Sequence, residues 1–322
     1  MYEYIVPSLL YFMSLYFTSF LMIISSDDWF MVWFGLEVNM ISFIMLVYER
    51  YNYISVESCM KYFFIQSLGS AVFLCSFLFS MNLNMMVSVI LSFKIGAGPF
   101  FFWFVSVCSH MKWFSCYFLM TFQKIIPLSL MSLFLNNVLW WFVFMSLIFG
   151  AYGSMNQSNI KQLIAYSSVH HLGWIISCML INKEFWFVYM IMYMCVLLSM
   201  VYSLVWYEIV DWGNLSKWKG KMLFLVSMLS MGGMPPLLGF FLKWAAFICM
   251  FKVSYILVLF FLLMSVLMFY VYVRIVYDVM LDVGVSSCMV DSMLSDSYEY
   301  KIDLFGVIGV VWGVMMGTYL VV

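Results

Sequence analysis

The chain has 322 residues, of which 66% are apolar and only 9% are charged, whereas a typical soluble domain is about 25% charged. A mean hydropathy of +1.06 leaves too few polar groups to cover the surface of a soluble fold, so we expect lipid to surround most of this chain. The formal net charge of −1 also excludes a nucleic-acid-binding protein, which needs a basic face.

Apolar runs long enough to cross a bilayer recur along the chain. A helix needs about 20 apolar residues to span a hydrocarbon core about 30 Å thick. Eleven transmembrane helices are predicted, at residues 5–25, 29–48, 59–80, 84–105, 113–135, 137–154, 160–181, 185–207, 222–246, 253–275 and 302–322. Alternating strands of about ten residues do not match such unbroken runs. The predicted fold class is therefore an all-α polytopic membrane protein.

The positions of Lys and Arg predict the orientation, because their excess marks the side of the membrane on which a protein is synthesised. Nine lie in connections on the N-terminal side, at Arg50, Lys61, Lys112, Lys161, Lys217, Lys219, Lys221, Arg274 and Lys301. Two lie on the opposite side, at Lys183 and Lys252. We therefore expect the N-terminus inside, the C-terminus outside and the polar connection at 276–301 along the inner surface.

Two segments resemble each other, SFKIGAGPFFFWF at 92–104 and SMGGMPPLLGFFLKW at 230–244, in their small residues, Pro, aromatic residues and single Lys. They lie on the fourth and ninth predicted spans, so the repeat would contain five helices and its second copy would be inverted. Inverted repeats with broken helices are typical of ion transporters. We predict one membrane domain over 1–322, organised as repeats at 1–135 and 137–275, the connection at 276–301 and a last helix at 302–322.

Four ionisable side chains fall inside predicted spans, where an ionised group costs roughly 2.5–3.5 kcal/mol on insertion scales. They are Glu37, Lys94, Lys124 and Lys243. A carboxylate near a desolvated ammonium forms a pair that can take up and release a proton, so these are the candidate proton-transfer residues. The alternative is that the charges pair with one another, or with a neighbouring subunit, and only fix the register of the helices.

Four of the five prolines lie within eight residues of one of these lysines. Proline has no N–H and leaves a carbonyl four residues earlier without its helical partner. Non-helical backbone at membrane depth must be satisfied by protein or by water. We therefore predict helix breaks, with hydrated cavities beside the lysines, at Pro99, Pro127, Gly232, Gly233, Pro235 and Pro236.

Histidine and cysteine supply no pattern for a bound redox centre. The three His form no facing pairs for a haem, and the eight Cys include no CxxC pair. We expect no metal, disulfide or cofactor on this chain. His171, in AYSSVHHLGW, is either part of a proton path or a buried structural residue, whereas His170 is expected to be structural. The start, MYEYIVPSLL, has no basic region or cleavage site, so we expect no removable targeting segment.

Six segments, in this order, resemble the chain 2 family of mitochondrial NADH:ubiquinone oxidoreductase, respiratory complex I. They are WFGLEVNMISF, KYFFIQSLGSAVFL, SFKIGAGPFFFW, MTFQKIIPL, NQSNIKQLIAYSSVHHLGW and LSMGGMPPLLGFFLKW, and they cover the second to ninth predicted spans. The resemblance implies a truncated antiporter-like fold in the mitochondrial inner membrane, with the N-terminus in the matrix and the C-terminus in the intermembrane space.

The resemblance also implies a function: a membrane-arm subunit that couples electron transfer from NADH to ubiquinone with proton translocation. FMN, iron–sulfur clusters and ubiquinone are expected on other subunits. The implied partners are other complex I subunits, especially neighbouring antiporter-like ones, and membrane lipids, with no nucleic acid. The family motifs fall on Glu37, Lys94, Lys124, Lys243 and His171. In this interpretation Glu37 and Lys94 form a pair, Lys124 relays, and Lys243 exchanges protons with the outer side.

The chain departs from the family pattern after the fourth predicted span. Phe101 stands where the family usually has His, and Val105 and Ser106 replace a Pro-Glu pair. These changes alter the loop at 105–112 and remove one polar group near Lys94. Two functions of other classes remain as alternatives: a stand-alone cation/proton antiporter, which works without partner subunits, and a structural subunit whose charges only pair.

Overall fold

A computed structural model describes residues 7–49, 52–79, 83–205, 221–235 and 237–286, and these form thirteen helices with no β-strand among them. The helices are α1 Pro7–Ser25, α2 Trp29–Val47, α3 Tyr53–Phe79, α4 Leu83–Ile95, α5 Phe102–His110, α6 Trp113–Met120, α7 Phe122–Leu133, α8 Leu139–Ser154, α9 Ile160–Ile181, α10 Phe185–Val205, α11 Lys221–Gly232, α12 Leu238–Phe251 and α13 Tyr255–Ser286. The last predicted span at 302–322 and Pro236 lie outside the described residues.

Six segments in the described part of the chain are long and apolar enough to cross a membrane, namely Trp29–Val47, Tyr53–Phe79, Trp113–Leu133, Ile160–Ile181, Phe185–Val205 and Tyr255–Met280. Large apolar side chains remain on their outer faces, and Ile256 is 85% exposed. Water would penalise such a surface and lipid does not. The all-α membrane fold class is thus confirmed, while the number of eleven spans stays a prediction.

Several helix boundaries differ from the sequence-based ones. Three predicted spans are each divided between two helices: α4 and α5, α6 and α7, and α11 and α12. Helix α3 begins at Tyr53 rather than at residue 59, and its first turns carry the Glu57–Lys61 salt bridge, in which the charged atoms lie 2.6 Å apart. Such i, i+4 pairs support a helix in a polar segment that hydropathy does not mark. Helix α13 continues to Ser286, into the predicted connection at 276–301.

Serine hydroxyls in the spans are satisfied within their own helices. Ser42, Ser58 and Ser168, for example, each donate to the carbonyl three residues earlier, at 2.7–2.9 Å. This local bond removes the need for water at a buried hydroxyl. The numerous serines therefore do not interrupt the helices.

The chain divides into two compact units, of which the first ends at Ser146 and the second begins at Leu147. In the first unit, α1 packs on α2, α2 on α3, and α3 on both α4 and α5, while α4 also contacts α7. Glycine permits a close approach of two backbone segments in this unit, since a Cβ added to Gly98 would lie 2.6 Å from the backbone of Met145 and Ser146. The division falls inside α8, and the predicted five-helix repeats stay a prediction.

Helix α9 is the core of the second unit. Its side chains are buried on every face between Leu163 and Met179, apart from Tyr166. Two glycines of α8 allow close contact with it: an added Cβ would lie 2.7 Å from the Cβ of His170 at Gly150, and 2.3 Å from the Tyr166 ring at Gly153. Helices α10, α11, α12 and α13 pack around one another in the same unit.

Candidate functional site

Helix α4 ends one residue after Lys94 in a Schellman cap. The Gly96 N–H donates to the Phe93 carbonyl at 3.2 Å and the Ala97 N–H to the Ser92 carbonyl at 3.0 Å, while Gly96 has a φ of +73°. Glycine adopts this left-handed conformation without steric penalty, which explains its place at the end of the helix. The helix therefore ends before Pro99, which lies in the turn that leads to α5.

Helix α11 ends with the same cap. The Gly233 N–H donates to the Ser230 carbonyl and the Met234 N–H to the Leu229 carbonyl, both at 3.1 Å, and the φ of Gly233 is +85°. Pro235 follows in the connection to α12. Both segments that resemble each other in sequence thus form two helices separated by a glycine-capped break.

Lys243 reaches back across the second break. From α12 its Nζ donates to the Gly232 carbonyl, the last of α11, at 2.8 Å, and the side chain is 7% exposed. The carbonyl end of a helix carries partial negative charge and favours a cation. A Cβ added to Gly239 would lie 1.6 Å from the Ser230 carbonyl oxygen, so only glycine allows α12 to pack this closely on α11.

The third predicted break differs from the prediction. Pro127 lies inside α7, and the interruption falls at Thr121, between α6 and α7. The Thr121 hydroxyl donates to the Tyr117 carbonyl at 2.6 Å and so completes the end of α6. Pro127 is the sixth residue of α7, where it removes the bond that the Gln123 carbonyl would accept, yet the helix continues through it to Leu133.

A cavity in the first unit brings two of the predicted lysines together. It measures about 20 Å³, enough for about one water molecule. The C-terminal end of α4 contributes to it together with α2, α3, α5, α6 and α7. The lining residues are Leu36, Asn39, Met40, Tyr62, Gln66, Lys94, Ile95, Trp103, Phe104, Leu119, Gln123, Lys124 and Pro127. The two lysines are 5% and 2% exposed. The structure thus provides a polar cavity beside buried lysines.

Packing fixes both lysine side chains at this cavity. The Lys124 Nζ lies 4.4 Å from the centroid of the Phe104 ring, a cation–π contact that favours the ammonium form. The Lys94 stem lies against Gly69, where an added Cβ would be 2.8 Å from Lys94 Cγ. The absence of a side chain at Gly69 therefore leaves the space that the Lys94 stem occupies.

Glu37 lies near Lys94 without direct contact. Its carboxylate accepts a hydrogen bond from the Ser70 hydroxyl, and within the described residues the Glu37 and Lys94 side chains make no salt bridge. They are close enough to interact electrostatically. The structure does not place Glu37 and Lys94 in the direct ion pair that a purely charge-pairing role would favour.

Neutral polar side chains complete the cavity, and the sequence analysis did not select them. The Gln66 Nε2 donates to the Lys94 carbonyl at 3.0 Å, and the Gln123 Nε2 donates to Asn39 Oδ1 at 3.1 Å. An amide on an otherwise apolar helix is costly to bury, and that signal identifies Asn39, Gln66 and Gln123.

The two adjacent histidines have different environments in the second unit. His170 Nε2 accepts the indole N–H of Trp174 at 3.2 Å, and its Nδ1 lies 3.4 Å from the Leu147 carbonyl. This arrangement fits a neutral ring with its proton on Nδ1. His171 Nδ1 lies 2.9 Å from the Tyr189 hydroxyl, and the centroid of its ring lies 5.0 Å from that of the tilted Tyr193 ring. Both histidines are buried.

The described part of the chain contains no group of three or more His, Cys, Asp or Glu side chains that could hold a metal ion. The seven cysteines within it are free thiols, four of them buried. These side chains pack as small apolar groups.

Known proteins are similar to this chain in sequence and in fold. The model of the NADH:quinone oxidoreductase/Mrp antiporter transmembrane family matches residues 26–89 and 78–268. NADH-ubiquinone oxidoreductase chain 2 of Locusta migratoria is 36% identical over 239 residues, which are 69% of this chain and 70% of that one. The protein of the same name from Anopheles gambiae is 38% identical over 245 residues, 70% and 71% of the two chains.

Solved structures with this fold come from multisubunit complexes. A chain of respiratory complex I from Thermus thermophilus has a TM-score of 0.76 at 22% identity, covering 93% of this chain and 76% of that one. A chain of the Mrp complex from Dietzia sp. DQ12-45-1b has a TM-score of 0.74 at 13% identity, covering 95% and 74%. Fold and family model define an antiporter-type membrane protein. The sequence identities further show that the chain belongs to the NADH-ubiquinone oxidoreductase chain 2 family, which confirms the resemblance drawn from the six segments.

Proposed function

We propose that the chain is a membrane-arm subunit of a mitochondrial NADH:ubiquinone oxidoreductase, which translocates protons while other subunits transfer electrons from NADH to ubiquinone. Family membership supports the assembly. The observation that carries the proton-transfer part is the cavity lined by both Lys94 and Lys124. A buried lysine with access to water can be protonated and deprotonated without leaving its helix.

In the first unit, we assign Glu37 as the group that controls the charge on Lys94. The Glu37 carboxylate stabilises the nearby Lys94 ammonium, and a change in the separation of the two groups changes this stabilisation. The Ser70 hydroxyl donates to the ionised carboxylate and orients it. Lys124 receives the proton, and the Phe104 ring then stabilises its ammonium.

In the second unit, Lys243 is the proton-exchanging group. Its ammonium donates to the Gly232 carbonyl, so loss of a proton weakens this bond and frees the lysine to move away from the end of α11. We assign this residue to exchange with the outer side. His171, hydrogen-bonded to Tyr189, is the candidate for a further step of the path.

Other parts of the proposal follow from the family. The chain spans the mitochondrial inner membrane several times, with the N-terminus in the matrix and the C-terminus in the intermembrane space. It carries no redox cofactor, and its partners are the other membrane-arm subunits. FMN, iron–sulfur clusters and ubiquinone belong to other subunits of the complex.

The assembly is tested by the mass and composition of the native particle after mild detergent extraction, with NADH oxidation assayed on the same fraction. Co-migration with a large NADH-oxidising complex is expected. Recovery as a small particle without NADH oxidation would contradict the proposal and favour a stand-alone cation/proton antiporter.

The proton path is tested by Lys94→Met in the assembled complex, because Met keeps the length of the stem and removes the charge. Loss of a positioned proton-transfer group should lower coupled turnover by roughly a hundredfold. Lys61→Met, which removes an exposed lysine in a surface salt bridge, is the matched control and should have no effect. A structural role for the charges predicts instead that the Glu37→Gln and Lys94→Met double variant recovers full proton translocation.

A further inference from the structure

Tyr62 brings the only hydroxyl group among the residues that line the cavity between Lys94 and Lys124. It lies on the buried face of α3 and is 3% exposed. Its ring centroid lies 5.0 Å from that of Phe43 and 6.2 Å from that of Trp103, so aromatic packing fixes the ring. The position of the phenol at the cavity is therefore set by the fold.

The other neutral polar groups at the cavity are already engaged. Gln66 donates to the Lys94 carbonyl, Gln123 donates to Asn39, and the Trp103 indole N–H donates to the Phe93 carbonyl. The Tyr62 hydroxyl, by contrast, makes no hydrogen bond to another described residue. It is thus available to a water molecule, for which the cavity has room.

The Tyr62 phenol and the carboxamides at the cavity differ in their ability to pass a proton onward. A group that passes a proton onward must accept one proton while it releases another, and a hydroxyl is both donor and acceptor at the same atom. A carboxamide divides these functions between its oxygen and its nitrogen. The cavity therefore contains two lysines that can hold a proton and one neutral side chain suited to transfer it.

We infer that Tyr62 is a further proton-relay residue, which joins Lys94 to Lys124 through one water molecule in the cavity. The inference rests on the proposed function. The Lys94 ammonium gives a proton to the water, the water gives one of its own to the Tyr62 oxygen, and the Tyr62 hydroxyl proton passes to the Lys124 amine. Water and phenol end unchanged in composition, and the net result is one proton moved from Lys94 to Lys124.

The test is Tyr62→Phe in the assembled complex in sealed membrane vesicles, with protons translocated per NADH oxidised and the solvent deuterium isotope effect as readouts. The ring packing is kept, so we expect normal assembly, an about tenfold loss of coupled turnover and a larger isotope effect. The matched control is Tyr53→Phe, which removes a hydroxyl on the same helix α3 from a side chain that is 81% exposed and does not line the cavity. It should leave both readouts unchanged.

Three outcomes decide the inference. Equal behaviour of Tyr62→Phe and Tyr53→Phe, while Lys94→Met abolishes translocation, overturns the role of Tyr62 and leaves the proposed function standing. Normal translocation in Lys94→Met overturns the proposed function itself.

Tyr62→His is the second variant, because imidazole also accepts and donates a proton. Tyr62→His should recover at least half of the coupled turnover per assembled complex that Tyr62→Phe loses. Coupled turnover as low as that of Tyr62→Phe would contradict the relay.

Discussion

Gly69→Ala tests whether packing of the Lys94 stem determines proton translocation. The added Cβ would lie 2.8 Å from Lys94 Cγ and 3.2 Å from Lys94 Cδ. Carbon atoms in contact prefer about 3.5–4.0 Å, so the stem must move by roughly 0.7 Å or more. Cγ lies at the base of the side chain and cannot swing away as the ammonium end can.

Overpacking of this kind typically destabilises a site by about 1–3 kcal/mol. Such a penalty displaces Lys94 from the cavity in most molecules, because about 1.4 kcal/mol changes an equilibrium tenfold. We therefore expect a fall of roughly tenfold in coupled turnover per assembled complex. The assay compares protons translocated per NADH oxidised in sealed vesicles, with the amount of complex measured on native gels.

The matched control is Ser67→Ala, also on α3, where the hydroxyl bonds only within its own helix. It should leave translocation unchanged. Full translocation in Gly69→Ala would refute the reasoning, because it would mean that the Lys94 stem can move without affecting proton transfer. Failure of both variants to assemble would point to α3 stability as the cause.

Three further variants test other parts of the site. Gly233→Ala places a side chain on a residue in the left-handed conformation, at a penalty of about 1–2 kcal/mol, and its Cβ would lie 3.1 Å from the Lys243 side chain. Less assembled complex is therefore expected on native gels, and a normal amount would contradict the role of Gly233 as a helix cap. Gln66→Leu leaves the Lys94 carbonyl without its partner, a loss of about 1–3 kcal/mol, which should shorten the half-life of the complex in detergent. Lys112→Met breaks an exposed salt bridge worth about 0–1 kcal/mol, and a measurable loss of stability there would show that the loop carries more than a surface contact.

The two glycine-capped breaks show which part of the site could be predicted from the sequence. Gly96 and Gly233 were recognisable as part of two similar segments, and both end a helix with a positive φ. The sequence predicts that the prolines interrupt these helices, whereas the structure ends each helix at a glycine before the proline, since glycine adopts this conformation readily. At Pro127 the predicted interruption is wrong: α7 continues through the proline despite the loss of one backbone bond, and the interruption falls at Thr121, after α6.

The sequence by itself determined the solvent and the class of the fold, because long apolar runs leave the chain no other way to satisfy its backbone than helices in lipid. It also marked Glu37, Lys94, Lys124 and Lys243, since an ionisable group in such a run is costly. Only the tertiary structure decided which of them share a cavity. Lys94 and Lys124 meet there with Tyr62 because α3, α4 and α7 pack together, and contacts between separate helices are not encoded in the spacing of residues along any one of them.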